Sequence, residues 1–291
     1  MRDYAKERPE HTEKYIGEND LFLEIFHSHG ASRQSIRPPL LFVHGAFTGS
    51  WMWSKYIPHF ISAGWNSYCI NLRGHYKSRS MDFTKILFED YLEDIRLVIS
   101  EIVEECGTPP IVIAFSMGGI LSQKLAESVK IAGLVLIDSS ICKQVHAEAP
   151  YRDLALRMPG LVVPAPVRDE LSTDETFEDI EFQRKYLSME SAKAFSAFSF
   201  HLGAEGISIE SEKITCPGLV ICAVNDETDD HRGLATARHI GGEYLGLPGM
   251  THTGLLVGQR YYEAVSRIMV WLARFDGRQV SDKALSLTAL E

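Results

Sequence analysis

The amino-acid sequence predicts an α/β protein with a mainly parallel central sheet and helices on both of its faces. Two observations predict this class. Short apolar runs alternate with amphipathic helical stretches along most of the chain, which is typical of repeated βαβ units. The run Gly133 to Ile137 has no polar alternation, as expected of a strand buried on both faces. A chain of 291 residues allows one large domain, or one domain that carries a substantial insertion.

The predicted elements alternate regularly up to residue 138. A long helix is expected over 88–105, where apolar residues recur at i, i+3, i+4 and i+7, and Gly107 follows its end. Each predicted strand is a short apolar run bounded by turn-forming residues. The strands of this half are predicted at 21–26, 40–43, 67–72, 111–115 and 133–137, and the helices at 51–64, 88–105 and 117–128.

This alternation stops after residue 138. Residues 139–213 contain helical patterns but no clear apolar strand. Alternation then resumes, with strands predicted at 218–224 and 243–247 and helices at 233–239 and 255–275. We therefore expect a core formed by residues 1–138 and 214–291, with residues 139–213 as a mostly helical insertion.

Composition and charge exclude several classes of protein. Lys and Arg total 29 against 39 Asp and Glu, a net charge of −10 with no basic run, so we expect no nucleic-acid partner. No apolar run is long enough to span a bilayer, and residues 1–20 are too polar for a secretory signal. The five cysteines form no CxxC pair, which argues against a zinc site or a disulfide framework. We expect a cytoplasmic protein with free thiols.

The most specific local motif runs from Ala114 to Gly119 and reads Ala-Phe-Ser-Met-Gly-Gly. It lies between a predicted strand and a predicted helix, the setting that a nucleophile elbow requires. The turn is so tight that residues two before and two after the serine must be small, and here they are Ala114 and Gly118. The sequence therefore predicts Ser116 as a nucleophile. The simpler alternative is a serine that only caps the helix.

A second turn can supply donors for an oxyanion. His44, Gly45 and Ala46 follow the predicted strand 40–43. We expect the backbone N–H of Ala46 and that of Met117, the residue after the nucleophile, to face the same oxygen. Each such donor is worth roughly 3–4 kcal/mol of transition-state stabilisation. The alternative for His44 and Gly45 is an ordinary strand-to-loop turn.

These motifs resemble the α/β-hydrolase superfamily, in particular its esterase- and lipase-like serine hydrolases with a helical lid. The resemblance covers roughly Leu21 to Phe275. Residues 43–53, Val-His-Gly-Ala-Phe-Thr-Gly-Ser-Trp-Met-Trp, are especially close to the esterase and lyase branch. The stretch Asn71-Leu-Arg-Gly-His75 resembles the Asp-x-Arg-Gly-His turn of the family, with Asn71 in place of the usual Asp.

The resemblance implies a nucleophile–acid–histidine order along the chain. After strand 218–224 this order indicates Asp226 as the acid, with Asp229 and Asp230 as neighbours that could replace it. Asp138, directly after strand 133–137, is the second choice because some members place the acid there.

The same order places the base in the loop after the last strand. His252 lies there, between Gly249 and Gly254. In this arrangement histidine takes the proton of the serine, and the acid orients the imidazole. The expected catalytic group is therefore Ser116, His252 and Asp226.

The resemblance implies a serine hydrolase that cleaves a moderately hydrophobic carboxylic ester, thioester or lactone through an acyl-enzyme, without a metal or organic cofactor. The aromatic content of 139–213 suggests the apolar roof of a pocket. The same triad also serves C–C bond or amide hydrolysis, acyl transfer, and lyase or cofactor-free oxygenase chemistry, and these remain alternatives. A non-catalytic ligand receptor is a further one. The partner is expected to be a small-molecule substrate, and the protein a monomer or homodimer.

Overall fold

The computed structural model describes residues 2–28, 37–151, 160–168, 172–200 and 203–276. Eight strands form one sheet in the order β1-β2-β4-β3-β5-β6-β9-β10, and two more form a small separate pair. The strands are β1 (Thr12–Ile16), β2 (Leu21–Phe26), β3 (Leu40–Val43), β4 (Ser67–Ile70), β5 (Ile111–Phe115), β6 (Gly133–Ile137), β7 (Val162–Val163), β8 (Glu190–Ser191), β9 (Gly218–Val224) and β10 (Glu243–Pro248).

Most neighbours in the large sheet are parallel. β2 pairs antiparallel with both β1 and β4, and the remaining five pairings are parallel. The predicted mainly parallel sheet is therefore confirmed. β1 was not predicted, because Ile16 is its only buried residue and the strand shows little apolar patterning.

The helices are α1 (Ile57–Ser62), α2 (Phe88–Cys106), α3 (Met117–Ala126), α4 (Lys143–Glu148), α5 (Phe177–Tyr186), α6 (Ala192–Phe198), α7 (Glu227–His239), α8 (Gly254–Val257) and α9 (Tyr261–Leu272). Two predicted helices are each divided. The stretch 51–64 contains a 3₁₀ turn followed by α1. This helix begins at Ile57, and Pro58 lies in its first turn, where proline is favoured. The stretch 255–275 is interrupted at Gly258, whose backbone is extended. No helix in the described ranges is long and apolar enough to cross a bilayer.

Helices cover both faces of the sheet. Successive residues of β3 point to opposite faces: Leu41 packs in one apolar cluster with α2, and Phe42 packs in the other with α9. Ile95 of α2 and Ile268 of α9 are both fully buried in these clusters. The α/β class with two helical layers is thus confirmed.

The chain leaves the sheet after β6 and returns to it at β9. We call residues 139–213 the insert. Its described residues contain α4, α5 and α6 and the antiparallel pair β7–β8, and they add no strand to the large sheet. Because the insert begins directly after β6, it emerges at the carboxyl edge of the parallel strands, where sites of open α/β sheets form. Residues 277–291 of the expected core lie outside the described residues.

Candidate active site

Ser116 occupies the sharp turn between β5 and α3. Its backbone has φ 53° and ψ −118°, a conformation that costs energy for a residue with a Cβ. Three hydrogen bonds hold it: the Ser116 N–H donates to Ile137 at 3.1 Å, and the Ser116 carbonyl accepts from Gly119 at 2.9 Å and from Ser140 at 3.1 Å. The turn therefore presents the serine at the carboxyl end of the central strands.

Two glycines allow this turn to approach the end of β3. A Cβ on Gly118 would lie 2.5 Å from the carbonyl oxygen of His44, and a Cβ on Gly45 would lie 2.9 Å from the Cβ of Ser116. Neither contact is tolerable without movement of the backbone or of the serine. The small residue expected two positions after Ser116 thus has a steric cause, the approach of α3 to the β3 turn.

His252 joins the serine to an acid. Its Nε2 lies 3.0 Å from the Oγ of Ser116, and its Nδ1 lies 2.5 Å from Oδ2 of Asp138. With an ionised Asp138 as acceptor, Nδ1 carries the proton and Nε2 is free to accept from the serine hydroxyl. The His252 side chain is 49% exposed, so a substrate and water can both reach it.

Two hydrogen bonds to β9 hold Asp138. It follows β6 with φ 43°, and its N–H donates to the Ile221 carbonyl at 2.7 Å. Its Oδ1 accepts from the Ala223 N–H at 3.2 Å, which leaves Oδ2 for His252. Both anchors lie on β9, the neighbour of β6, so the sheet itself orients the carboxylate.

The structure brings Asp138, the second choice of acid, to His252 and places Asp226 at the start of α7. Asp226 is the N-cap of α7, where its Oδ1 accepts from the N–H groups of Thr228 at 2.8 Å and Asp229 at 3.0 Å. The Nδ1 of His252, which an acid must hold, is occupied by Asp138 instead. The other two candidates also have partners elsewhere: Asp229 binds Arg232, and Asp230 accepts from the Tyr244 hydroxyl at 2.7 Å.

The expected oxyanion donors, Ala46 and Met117, belong to the turn after β3 and to the start of α3. Met117 is the first residue of α3, so its N–H has no preceding helical turn to bond. Ala46 is half-buried in the turn after β3, and Phe47 follows it with φ 67°. Two residues of the insert bind this turn. The Phe47 carbonyl accepts from the Ser188 N–H at 2.9 Å, and the Phe47 N–H donates to the Glu190 carboxylate at 3.4 Å.

His44 forms hydrogen bonds that hold the same turn. Burial, together with the charge of His75, lowers the pKa of His44 to about 3, so its imidazole is neutral. Its Nε2 accepts from the Leu72 N–H at 3.0 Å, so Nδ1 carries the proton and donates to the Gly45 carbonyl at 2.8 Å. His44 is therefore a structural residue that ties the turn after β3 to the chain after β4.

The Asn71–His75 turn is also structural. Asn71 accepts from the Ser50 N–H at 2.8 Å and donates to the Phe22 carbonyl at 3.2 Å. An aspartate could not make the second bond, which accounts for the amide here. The Arg73 guanidinium donates to Asp94 of α2 at 2.9 Å, which fixes the turn to that helix.

A fully buried ion pair connects this turn to the insert. The Nε2 of His75 lies 3.0 Å from Oε2 of Glu190 in β8, and the Tyr91 hydroxyl donates to Oε1 of Glu190 at 2.6 Å. Burial lowers the pKa of His75, but the charge of Glu190 and its hydrogen bond more than offset this, so the net shift is upward. Sequence reasoning missed Glu190, because nothing near it in the chain indicates a partner 115 residues away.

A cavity of about 350 Å³ opens beside Ser116 and His252. One part of its lining is apolar, with aromatic side chains that come from the insert, and the other part is polar. The insert contributes Ile141, Tyr151, Phe195, Phe198 and Phe200, and the polar side includes Ser140, Asn225, Arg232 and Thr236. The sequence indicated an apolar roof but not which residues form it.

Cys222 is the one thiol among the residues that line the cavity. Burial and the nearby charges of Asp138 and Asp229 raise the pKa of Cys222 well above its ordinary value, so the thiol stays protonated and is a poor nucleophile. All five cysteines are free. Ser116 is therefore the better candidate nucleophile in this cavity.

Within the described ranges, one group of side chains has a metal-ligating arrangement: His11, Glu13 and Glu24, on and beside β1 and β2. The Glu24 carboxylate already accepts hydrogen bonds from both terminal nitrogens of Arg8, at 2.7 and 2.6 Å. Its charge is thus balanced by Arg8 without a metal ion, and these residues are not among those that line the cavity.

An exposed histidine between a strained serine and an anchored aspartate, at the carboxyl edge of a parallel sheet, defines the class of α/β enzymes with a nucleophile elbow. The family model of the alpha/beta hydrolase family matches residues 40–267. The chain therefore belongs to the alpha/beta hydrolase family, which confirms the resemblance and the expectation of a hydrolase enzyme.

Solved structures with the same fold include several esterases and lipases. A monoacylglycerol lipase of Paleococcus ferrophilus is similar with a TM-score of 0.64 at 20% identity, over 88% of this chain and 99% of that one. A structure from a study of carboxylesterases of the thaumarchaeon Nitrososphaera gargenis gives 0.63 at 17% identity, over 90% and 99%. A thermophilic esterase of Thermogutta terrifontis gives 0.61 at 17%, over 92% and 99%. Comparison with curated protein sequences gives no significant match.

Proposed function

We propose that this protein is a serine hydrolase that cleaves a moderately hydrophobic carboxylic ester, thioester or lactone through an acyl-enzyme. One observation carries the proposal: His252 lies within hydrogen-bond distance of both Ser116 and Asp138. In this proposal the acid is Asp138, and not Asp226 as expected from the sequence. The esterases and lipase of similar fold are consistent with it.

The chemistry follows from these contacts. The Oγ of Ser116 attacks the carbonyl carbon while its proton moves to Nε2 of His252. The imidazolium, stabilised by Asp138, then gives that proton to the leaving oxygen or sulfur as its bond to carbon breaks. A water molecule repeats the sequence on the acyl-enzyme, which releases the carboxylic acid and restores Ser116.

The N–H groups of Ala46 and Met117 are the proposed oxyanion donors. They belong to the β3 turn and to the start of α3, and the proposal is supported by the close approach of these two elements, which Gly45 and Gly118 allow. Fixed donors of this kind stabilise the negative charge that develops on the carbonyl oxygen.

The insert is the proposed lid, and the cavity below it the proposed acyl pocket. The aromatic side chains of the insert suit an apolar substrate group. The cavity volume of about 350 Å³ is in the range of small-molecule sites. The proposed partner is thus a small molecule, bound by a monomer or a homodimer.

Active-site labelling tests the nucleophile. We expect a fluorophosphonate probe to modify Ser116, as located by peptide mass spectrometry. Labelling should disappear in Ser116→Ala and fall by orders of magnitude in His252→Ala, because the hydroxyl is a weak nucleophile without its base.

Ser100→Ala and His59→Ala are the matched controls, one an exposed serine on α2 and the other an exposed histidine on α1. Both should be labelled like the wild type. Modification that persists in Ser116→Ala would refute the assignment. Labelling of Ser116 without turnover of p-nitrophenyl esters of any chain length would favour the related reactions of the same triad over ester hydrolysis.

A further inference from the structure

The loop that carries His252 is held by the insert. It runs from the end of β10 to the start of α8, and the two residues that flank the histidine are Thr251 and Thr253. Both contact a pair of adjacent acidic residues of the insert, Asp174 and Glu175.

Asp174 binds the residue before the histidine twice. Its Oδ2 accepts from the Thr251 N–H at 2.9 Å, and its Oδ1 accepts from the Thr251 hydroxyl at 2.7 Å. Its backbone carbonyl also accepts from the Gln259 N–H at 2.8 Å. One insert residue thus fixes the backbone before His252 and the chain beyond α8.

Glu175 binds the residue after the histidine. Its Oε1 accepts from the Thr253 hydroxyl at 2.7 Å and from Gln183 at 2.6 Å. Its Oε2 accepts from Arg168 at 2.6 Å. The same Arg168 donates to the Thr253 hydroxyl at 3.0 Å, so the arginine, the glutamate and the threonine form one closed network.

The contact is close and buried. Asp174 and Glu175 are each only 4% exposed, and in the described residues no cation forms an ion pair with Asp174. A Cβ on Gly254 would lie 2.0 Å from Oδ2 of Asp174, so a glycine is needed for the carboxylate to reach Thr251. Buried carboxylates are costly unless hydrogen-bonded, and here each carboxylate receives part of its hydrogen bonds from a residue next to His252.

We propose that Asp174 and Glu175 are positioning residues for catalysis: through Thr251 and Thr253 they hold the His252 imidazole in line with the Oγ of Ser116. The proposal rests on the proposed serine hydrolase function. Its physical reason is that catalytic groups must be placed to within a fraction of an ångström, and a misplacement of about 1 Å can cost about 100-fold in rate. Neither acid touches the substrate in this role.

The test removes the two hydroxyl groups and keeps the shape of the loop. Valine has nearly the shape of threonine and retains the backbone N–H, so Thr251→Val/Thr253→Val removes the hydroxyl bonds to Asp174 and Glu175. The bonds that the two hydroxyls accept from Gly254 and Arg168 are lost with them. We expect kcat to fall about 100-fold with KM within about twofold, because the binding cavity is unchanged while the base is misplaced. The rate of fluorophosphonate labelling at Ser116 should fall in parallel.

The double variant Thr251→Ser/Thr253→Ser retains both hydroxyls and should recover most of the activity. Thr84→Val, in the loop before α2, controls for loss of a threonine hydroxyl elsewhere. If the double valine variant does not fold, as judged by circular dichroism, Glu175→Gln alone should lower kcat more than it raises KM.

A valine variant with the kcat of the wild type would overturn the proposal, as would equal losses in the serine and valine variants. Failure of the premise looks different: the wild type itself would then not be labelled at Ser116. If the wild type is labelled and the valine variant is labelled at the same rate, the positioning role alone is refuted.

Discussion

Asp138 and Asp226 differ in what their carboxylates already hold. Asp226 spends one oxygen on two backbone N–H groups at the start of α7, whereas Asp138 uses one oxygen to bind β9 and offers the other to His252. β6, directly before Asp138, pairs with β5, directly before the serine. An acid at the end of the neighbouring strand therefore needs no long loop to reach the histidine.

At this scale we expect Asp138→Asn to lower kcat by a factor of about 10⁴, because an amide cannot hold the required imidazole tautomer. Asp226→Asn is the matched control and should keep nearly full activity, since asparagine caps a helix as well as aspartate. Ester hydrolysis measured for both variants decides between them. The reverse order of effects would return the acid to the start of α7.

Ser116 and His252 could be proposed from the sequence for different physical reasons. The elbow is a local feature: its steric needs fall on residues within a few positions, so a short motif contains them. The acid is not local, since two aspartates each follow a buried strand. Only the order of the strands in the sheet, which no short motif encodes, separates Asp138 from Asp226.

At the scale of elements, the strands and helices with strong apolar patterns could be predicted to within a few residues. β1 could not, because only Ile16 of it is buried. The start of α7 at Glu227 was also missed, because its first turn is acidic and exposed and has no apolar period. The pair β7–β8 is two residues long, so its stability comes from tertiary contacts such as those of Glu190 rather than from its own sequence.

The β8 contact predicts a pH dependence of stability. The pKa of His75 is raised in the folded protein, so its pairing with Glu190 contributes fully below the unfolded value of about 6.5 and is lost as pH rises through the folded value. In Glu190→Gln, burial without a charged partner lowers the pKa instead. We expect this variant to lose about 3 kcal/mol of unfolding free energy at pH 6 and clearly less at pH 9.

Urea unfolding of both proteins at the two pH values measures this difference. Glu212→Gln, an exposed acid beside the last residues of the insert, is the control and should change the free energy little at either pH. A loss in Glu190→Gln that is the same at pH 6 and pH 9 would show that His75 is not charged in the folded protein.

At the scale of the whole molecule, the cavity lies where the insert meets the sheet. Phe195 of α6 lines it and packs on Phe47, with ring centroids 5.4 Å apart. Phe177 of α5 is on the same insert but is 63% exposed. One aromatic position of the insert therefore faces the cavity, and another faces solvent.

We expect Phe195→Trp to lower kcat/KM for an octanoate ester at least about tenfold more than for an acetate ester, because the larger ring takes space that a long acyl chain needs. Phe177→Trp should leave the ratio unchanged. The p-nitrophenyl ester series measures both. An unchanged ratio in Phe195→Trp would place the acyl group elsewhere.

The bonds of Asp174, Glu175, Ser188 and Glu190 also bear on how this enzyme could be re-engineered. Exchange of the complete insert for that of a relative would remove the partners of Thr251, Thr253 and Phe47 along with the cavity wall. A chimera made in this way would alter the cavity lining and, at the same time, lose the hydrogen bonds that hold the His252 loop and the turn after β3. Grafts confined to α6, with residues 172–191 left in place, would separate the two effects.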